Sequence, residues 1–350
     1  MARWTSSCPI CALPRRQNRS RFCLAKNQGH PLGAGGPHRS GTGQSDLQFS
    51  ALLCLRWPDR LAGHRVRAGI ATLRTAPAGN ELIIATYNNP RSLSLCLESI
   101  RRQEVLPHGI CFADDGSGAE TRAIVEGFAL QGVEVRHVWH EDDGFRKCEI
   151  LNKAIASSRA EYLIFIDGDV MIHPGFVKRH LDMARRGRFM TGSLIRLDKA
   201  ATEAVTPDMV RDGTVFDRGW LRANRALAGI STWLKTKPFP LPVMALLDRL
   251  SPVRPALCGA NASAFRDEVL AVGGFDERMK YGGLDKEFGV RLRNNGTTGA
   301  HLRYSAPLVH LDHARGYSDP EGRRRNRELI DAVRRDRVRT TEFGTRTGDA

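Results

Sequence analysis

Apolar residues show no sustained period of 2 or 3.6 over positions 1–79, and the pattern then changes abruptly at Glu81. Residues 82–86 form a continuous apolar run that predicts a buried strand. Leu93, Cys96, Leu97 and Ile100 follow at the spacing of one helix face. The alternation then repeats, with strands predicted at 109–113, 133–138, 162–166 and 189–195 and helices at 121–130, 148–156 and 176–184. Short apolar strands separated by helices predict an α/β fold, a Rossmann-like, mostly parallel sheet with helices on both faces.

Between 198 and 255 the alternation lapses, leaving a helical stretch around 220–233 and a Pro-punctuated apolar stretch at 239–250. Three readings stand: a core-covering insertion, an acceptor-side lid, or a membrane-surface contact, because Trp220, Trp233, Leu234, Phe239 and Leu241 stand among Arg222, Arg225, Lys235 and Lys237. Residues 323–350 read as a charged tail, helical and then frayed.

The formal charge of +15 over 350 residues suggests a nucleic-acid partner until it is divided. Residues 1–79 hold 12 Lys/Arg against 2 Asp/Glu, so +10 of it lies there, and the patterned region is only mildly basic. That composition predicts a disordered extension or sequence ahead of the true start. Cys8, Cys11, Cys23 and His30 in it are either a zinc site or part of an unstructured tail, since the second pair lacks finger or ribbon spacing. No apolar run is long enough to span a bilayer, and arginines at 15, 16, 19 and 21 interrupt any signal core. Cys96, Cys111, Cys148 and Cys258 sit in apolar segments and read as buried thiols. The expectation is a cytoplasmic protein, with a peripheral site at the inner face of the membrane if the insertion is a lipid contact.

Four clusters carry candidate chemistry. Asp114-Asp115-Gly116-Ser117 follows the second predicted strand, at the carboxyl edge where open α/β sheets bind ligands. Carboxylates there suit a uracil N–H and ribose hydroxyls, and an ordinary turn is the plainer alternative. Asp167-Gly168-Asp169 follows the fourth strand and suits a hard divalent cation whose other ligands are diphosphate oxygens and water. In Tyr281-Gly282-Gly283-Leu284-Asp285-Lys286-Glu287-Phe288, paired glycines deliver the chain to a helix start. Asp285 then stands near the first turn, where it can face a cleft, cap the helix, or do both. His310 and His313 end a strand, where either imidazole completes a metal shell or is simply a satisfied histidine.

In this order the clusters resemble the family 2 glycosyltransferases of the GT-A fold, from the strand ending Thr86-Tyr87-Asn88-Asn89 through Asp167-Gly168-Asp169. Residues 145–152 (Phe145 to Asn152), Gly274-Phe275-Asp276-Glu277 and 281–285 resemble the branch with a galactosyltransferase-type carboxy-terminal half. The resemblance implies a nucleotide-sugar-binding half at 80–197, an insertion at 198–255 and an acceptor and catalytic half at 256–322. It implies inverting transfer from a nucleoside diphosphate sugar, UDP by expectation, to a hydroxyl of a glycan or glycolipid in lipopolysaccharide or other cell-surface polysaccharide synthesis. Donor contacts would come from Thr86, Tyr87, Asn88, Asp114, Asp115, Phe145, Lys147, Asn152 and Asp167. Asp169 would hold the metal, Mn2+ or Mg2+, with His310 or His313 completing its shell, and Asp285 would be the base. Gly283, Asn261 and Glu287 would meet the acceptor, with Glu287 also the second candidate base. Leu284 departs from the pattern, standing where the relatives usually carry Glu. The rivals are a sugar-1-phosphate nucleotidyltransferase, disfavoured because Tyr87-Asn88-Asn89-Pro90 replaces a Gly-rich phosphate loop, and a basic nucleic-acid-binding protein.

Overall fold

A computed structural model of the chain describes residues 77–345 apart from 228, 238 and 315–318. The readings made for residues 1–76, the Cys8, Cys11, Cys23 and His30 set included, lie outside the described residues. The described chain opens with the predicted alternation: β1 (Asn80–Thr86), α1 (Pro90–Ile100), β2 (Gly109–Asp114), α2 (Ala119–Glu126), β3 (Glu134–Trp139), α3 (Lys147–Ser157) and β4 (Tyr162–Asp167). β5 (Val170–Ile172), α4 (Phe176–Met183), β6 (Arg188–Thr191) and β7 (Leu194–Arg196) follow. The insertion holds α5 (Lys199–Ala204), α6 (Pro207–Asp212), a 3-10 turn at Thr214–Phe216, α7 (Arg218–Ala223), α8 (Gly229–Lys235) and α9 (Leu241–Arg249). The carboxy-terminal part comprises β8 (Ala262–Phe265), α10 (Arg266–Ala271), α11 (Leu284–Asn294), β9 (Thr298–His301), β10 (Leu308–His310) and α12 (Pro320–Arg335).

Seven strands form one sheet in the order β3-β2-β1-β4-β8-β6-β9. The first four run parallel, β8 is antiparallel to both β4 and β6, and β9 is parallel to β6. Alternation along β1 fills both faces: Leu82 and Ile84 join the core under α1, while Ile83 and Ala85 join the core under α3 and α11. A strand buried on both sides needs apolar residues at every position, which is why these strands read as unbroken apolar runs.

A second sheet, β5-β10-β7, crosses the carboxyl end of β4. β10 is antiparallel to β5 and parallel to β7, with His310 opposite both Val170 and Arg196. The single strand expected at 189–195 is therefore two. The chain breaks at Gly192, where a Cβ would lie 2.2 Å from the buried Asn261 side chain.

The insertion also divides. Residues of α5 to α7 build a small core of their own on the second sheet, with Ala201, Val205, Val210, Val215 and Leu221 packed on Met171, Ile195 and Val309. α8 buries no residue and α9 buries only Asp248. The charged tail expected from 323 onward is an amphipathic helix, α12, that begins at Pro320 and buries Ile330 and Val333.

Candidate active site

The carboxyl ends of β1, β2 and β4 open into a cleft of about 810 Å³. Gly168 follows β4 because its N–H bonds the Ala85 carbonyl at 2.8 Å and the Thr86 side chain lies just over the position of a Cβ. Of the sequence-predicted residues, Thr86, Tyr87, Asn88, Asp115, Phe145, Lys147, Asp167, Asp169, Gly283, Asp285, His310 and His313 all line this cleft.

At its floor the Asp115 carboxylate accepts from the His140 ring at 2.8 Å and from the Arg146 N–H at 3.1 Å. Burial pushes its carboxyl up despite these partners. The turn that presents it needs Gly116, whose φ is +91° and whose Cβ would collide with the Asp142 backbone. Tyr87 donates to Asp142 at 2.9 Å, and that bond raises its phenol. Phe145 and Tyr281 meet edge to face at 5.9 Å between ring centroids and form one wall.

Lys147 donates to Asp167 Oδ1 at 2.6 Å. Burial would depress its ammonium, but Asp167, with Asp169 and Asp285 behind it, holds it above the usual lysine range. Asp169 meets His313 Nε2 at 3.0 Å and His310 Nε2 at 3.7 Å. Burial alone would raise Asp169, yet the His313 hydrogen bond and the nearby positive groups hold it low. Strand pairing assembles this triad, since β10 sets His310 against Val170 and the Leu311 N–H bonds the Asp169 carbonyl at 3.0 Å. The three side chains offer ligand atoms all within 4.8 Å of one another, and Asp169 Oδ1 is buried without a hydrogen-bond partner. One carboxylate and two imidazoles, with an orphaned oxygen turned among them, fit a divalent transition metal.

Opposite stands Asp285. Its two glycines are demanded by the backbone, with φ of +99° at Gly282 and +92° at Gly283. Gly283 is the N-cap of α11, so the capping alternative for Asp285 does not hold: Asp285 lies inside the first turn. Its carboxylate accepts from the Gly259 N–H at 3.2 Å and the Lys286 N–H at 2.9 Å. Burial pushes its carboxyl up, resisted by those N–H groups and by Lys147.

Four expected site residues are placed elsewhere. Asp114 is fully buried, closing the turn by accepting from the Ser117 N–H at 2.9 Å and contacting His137 at 3.0 Å. Asn152 clamps the 275–277 turn through Phe275 N, Phe275 O and Glu277. Asn261 is spent on His180 and on the carbonyls of Ser193 and Ala306. Glu287 lies in a buried pair with Arg291 at 2.6 Å, which removes it as an alternative base. Conversely, Leu194 and Arg196 on β7 line the cleft although no motif marked them. Only the pairing of β7 with β10 brings them there.

With this geometry in place, residues 81–249 match the sequence profile of the family described as glycosyl transferase family 2. The chain carries a family 2 glycosyltransferase domain. Its mixed α/β architecture, with a mostly parallel seven-strand sheet, is the fold class that the resemblance implied. The glycosyltransferase is 23% identical over 234 residues to a chondroitin synthase of Escherichia coli, covering 62% of this chain and 32% of that protein. It is 26% identical over 245 residues to a validoxylamine A glucosyltransferase of Streptomyces hygroscopicus subsp. limoneus, covering 67% and 52%. The chain thus spans about a third of the length of one of these curated relatives and about half of the other. Among solved structures, S. aureus TarS 1-349 superposes with a TM-score of 0.47 at 16% identity, covering 73% of this chain and 65% of that one. Among the described residues no helix is long and apolar enough to cross a membrane. The family sets aside the nucleotidyltransferase reading for residues 81–249.

Proposed function

We propose that this glycosyltransferase moves a sugar, with inversion, from a nucleoside diphosphate sugar to a hydroxyl of a glycan or glycolipid acceptor. The observation that carries the reading is one cleft bordered by Asp115, by the Asp169, His310 and His313 triad, and by Asp285. Asp115 and the aromatic wall of Phe145 and Tyr281 would hold the nucleoside, UDP being the expected one. The triad would hold the metal, and its two imidazoles favour Mn2+ over Mg2+, which prefers an all-oxygen shell. When bound, that cation would neutralise charge on the leaving diphosphate.

Asp285 accepts the acceptor hydroxyl proton as that oxygen forms its bond to the anomeric carbon and the bond from the anomeric carbon to the diphosphate oxygen breaks. A carboxylate held by two backbone N–H groups is fixed in orientation, and its raised pKa makes it a better proton acceptor. Leu284 offers no acceptor hydrogen bond, so other polar groups that line the cleft, the Gly283 backbone and Arg196 among them, would orient the acceptor. The relative named a chondroitin synthase supports a polysaccharide acceptor, and a cell-surface product and the galactosyltransferase-type carboxy-terminal half belong to the same proposal. The test is a panel of nucleotide sugars with Mn2+, reading release of UDP or GDP. Release from one UDP-sugar, stopped by EDTA, is expected. Release from none, or release indifferent to EDTA, would overturn the reading.

A further inference from the structure

α8 and α9 have the reverse of the usual polarity. Ile230 is 78% exposed and Leu250 68%, and Trp233, Phe239, Leu241, Val243, Leu246 and Val253 are exposed as well. The buried residue of α9 is a charged one, Asp248, which accepts from the Tyr304 N–H at 2.7 Å and from the Ser305 hydroxyl. Arg303 donates to Ser231 on α8 at 2.7 Å, and the His301 ring meets the Val253 carbonyl at 2.7 Å. Both helices are therefore fastened by polar bonds to the single segment 301–305, with Ile230, Trp233, Leu241, Val243 and Leu246 left exposed. A cluster of exposed aliphatic and aromatic side chains of this kind marks a contact surface.

The charge of the same stretch says what covers it. Residues 218–254 contain Arg218, Arg222, Arg225, Lys235, Lys237, Arg249 and Arg254, and their one acidic residue is the buried Asp248. Lys237 lies 4.2 Å from the centroid of the Trp233 ring, so a cation and an interfacial aromatic share one spot. A second copy of the chain would bring like charges together, whereas an anionic lipid surface complements them and takes up the apolar side chains. We propose that α8, α9 and the 250–254 segment dock this glycosyltransferase on an anionic bilayer, with the apolar residues in the headgroup boundary and the cations against the lipid phosphates. The surface adjoins the cleft, because Lys235 on α8 donates to the carbonyl of the cleft residue Leu194 at 3.0 Å. Docking would turn the Arg196 side of the cleft toward the bilayer, where a lipid-borne acceptor would reach Asp285.

The full chain is to be sedimented with vesicles of phosphatidylcholine alone and of phosphatidylcholine mixed with phosphatidylglycerol, at low and high salt. The expected result is binding to the mixed vesicles at least about tenfold tighter than to the neutral ones, weakened by salt. Leu246→Asp with Leu250→Asp, both at exposed positions, should reduce that binding by about tenfold or more while the melting temperature and circular dichroism stay unchanged. Lys237→Glu with Arg254→Glu should do the same through charge, which keeps the test open if the first pair disturbs α9. Binding as tight in both variants as in the native chain would assign it to other basic residues, such as those of positions 1–79, and overturn the proposal. So would failure of the native chain to bind, or a native dimer that either variant converts to monomer in analytical ultracentrifugation.

Discussion

Replacing Asp285 by Asn removes basicity and leaves one amide oxygen where the carboxylate uses two, Oδ2 for the Gly259 N–H and Oδ1 for the Lys286 N–H. Turnover should fall by about 10²-fold or more with donor affinity near that of the native chain, and the melting temperature should drop slightly because one N–H loses its acceptor. Near-native turnover would take the base role from Asp285, and buried Glu287 offers no substitute. Because burial holds the Asp285 carboxyl above its ordinary value of about 3.9, kcat/KM should decline as pH falls through that raised value, since only the ionised form accepts a proton. A pH profile still flat at the ordinary aspartate value would contradict this. Asp169→Ala should abolish Mn2+-dependent binding of UDP in calorimetry, and UDP binding that persists in EDTA would remove the metal from the donor site. The clusters legible in the sequence were those in which chemistry-bearing residues are contiguous, as in Asp167-Gly168-Asp169. Asn152, Asn261 and Glu287 misled because a polar side chain inside a motif reads the same whether it faces the cleft or is consumed by buried backbone groups. Arg196 was invisible for the opposite reason, belonging to no motif and reaching the cleft only through the pairing of β7 with β10.

Helix α12 shows how an element without chemistry positions one that has it. Asn326, fully engaged, donates to the carbonyls of Lys280 and Gly282 at 2.8 and 2.7 Å and accepts from the Lys280 N–H at 3.3 Å. It thereby splints the loop that carries Tyr281 and delivers Gly283 to α11. Asn326→Ala should cost about 1–3 kcal/mol in urea unfolding, by orphaning buried backbone groups. It should also lower turnover, whereas Arg325→Ala, one position along on the exposed face, should do neither. Equal behaviour of the two variants would show that the loop holds its shape unaided. The parallel half was legible because strands buried on both faces must be apolar throughout and the helices between them show one apolar stripe. The split of β6 from β7 was not, since both halves are apolar and the break depends on a distant side chain, Asn261, pressing on Gly192. The tail concealed α12 for a related reason: its many arginines outnumber the few residues, Ile330 and Val333 among them, that pack it down.

Across the molecule, acid should act through a buried imidazole. His180 lies between the Ser263 hydroxyl at 2.7 Å and Asn261 Oδ1 at 3.1 Å, and burial lowers its pKa from 6.5 to about 3. Between those values the unfolded chain binds a proton that the folded chain refuses, so stability falls as pH drops from 6.5, by up to about 1.4 kcal/mol per pH unit from this group. Urea unfolding near neutrality and at about pH 5 should show His180→Gln starting less stable than the native chain but losing less on acidification, and equal losses would assign the acid sensitivity to other groups. One consequence of β10 concerns time rather than equilibrium. This three-residue strand joins segments well over a hundred positions apart, and pairings of such long range form late in refolding because their loops are costly to close. Asp169 meets His310 only after that pairing. Uptake of Mn2+ at the proposed site would therefore mark the final step of assembly, and a refolding chain would show its helices and parallel strands by circular dichroism before it gained any thermal protection from the metal.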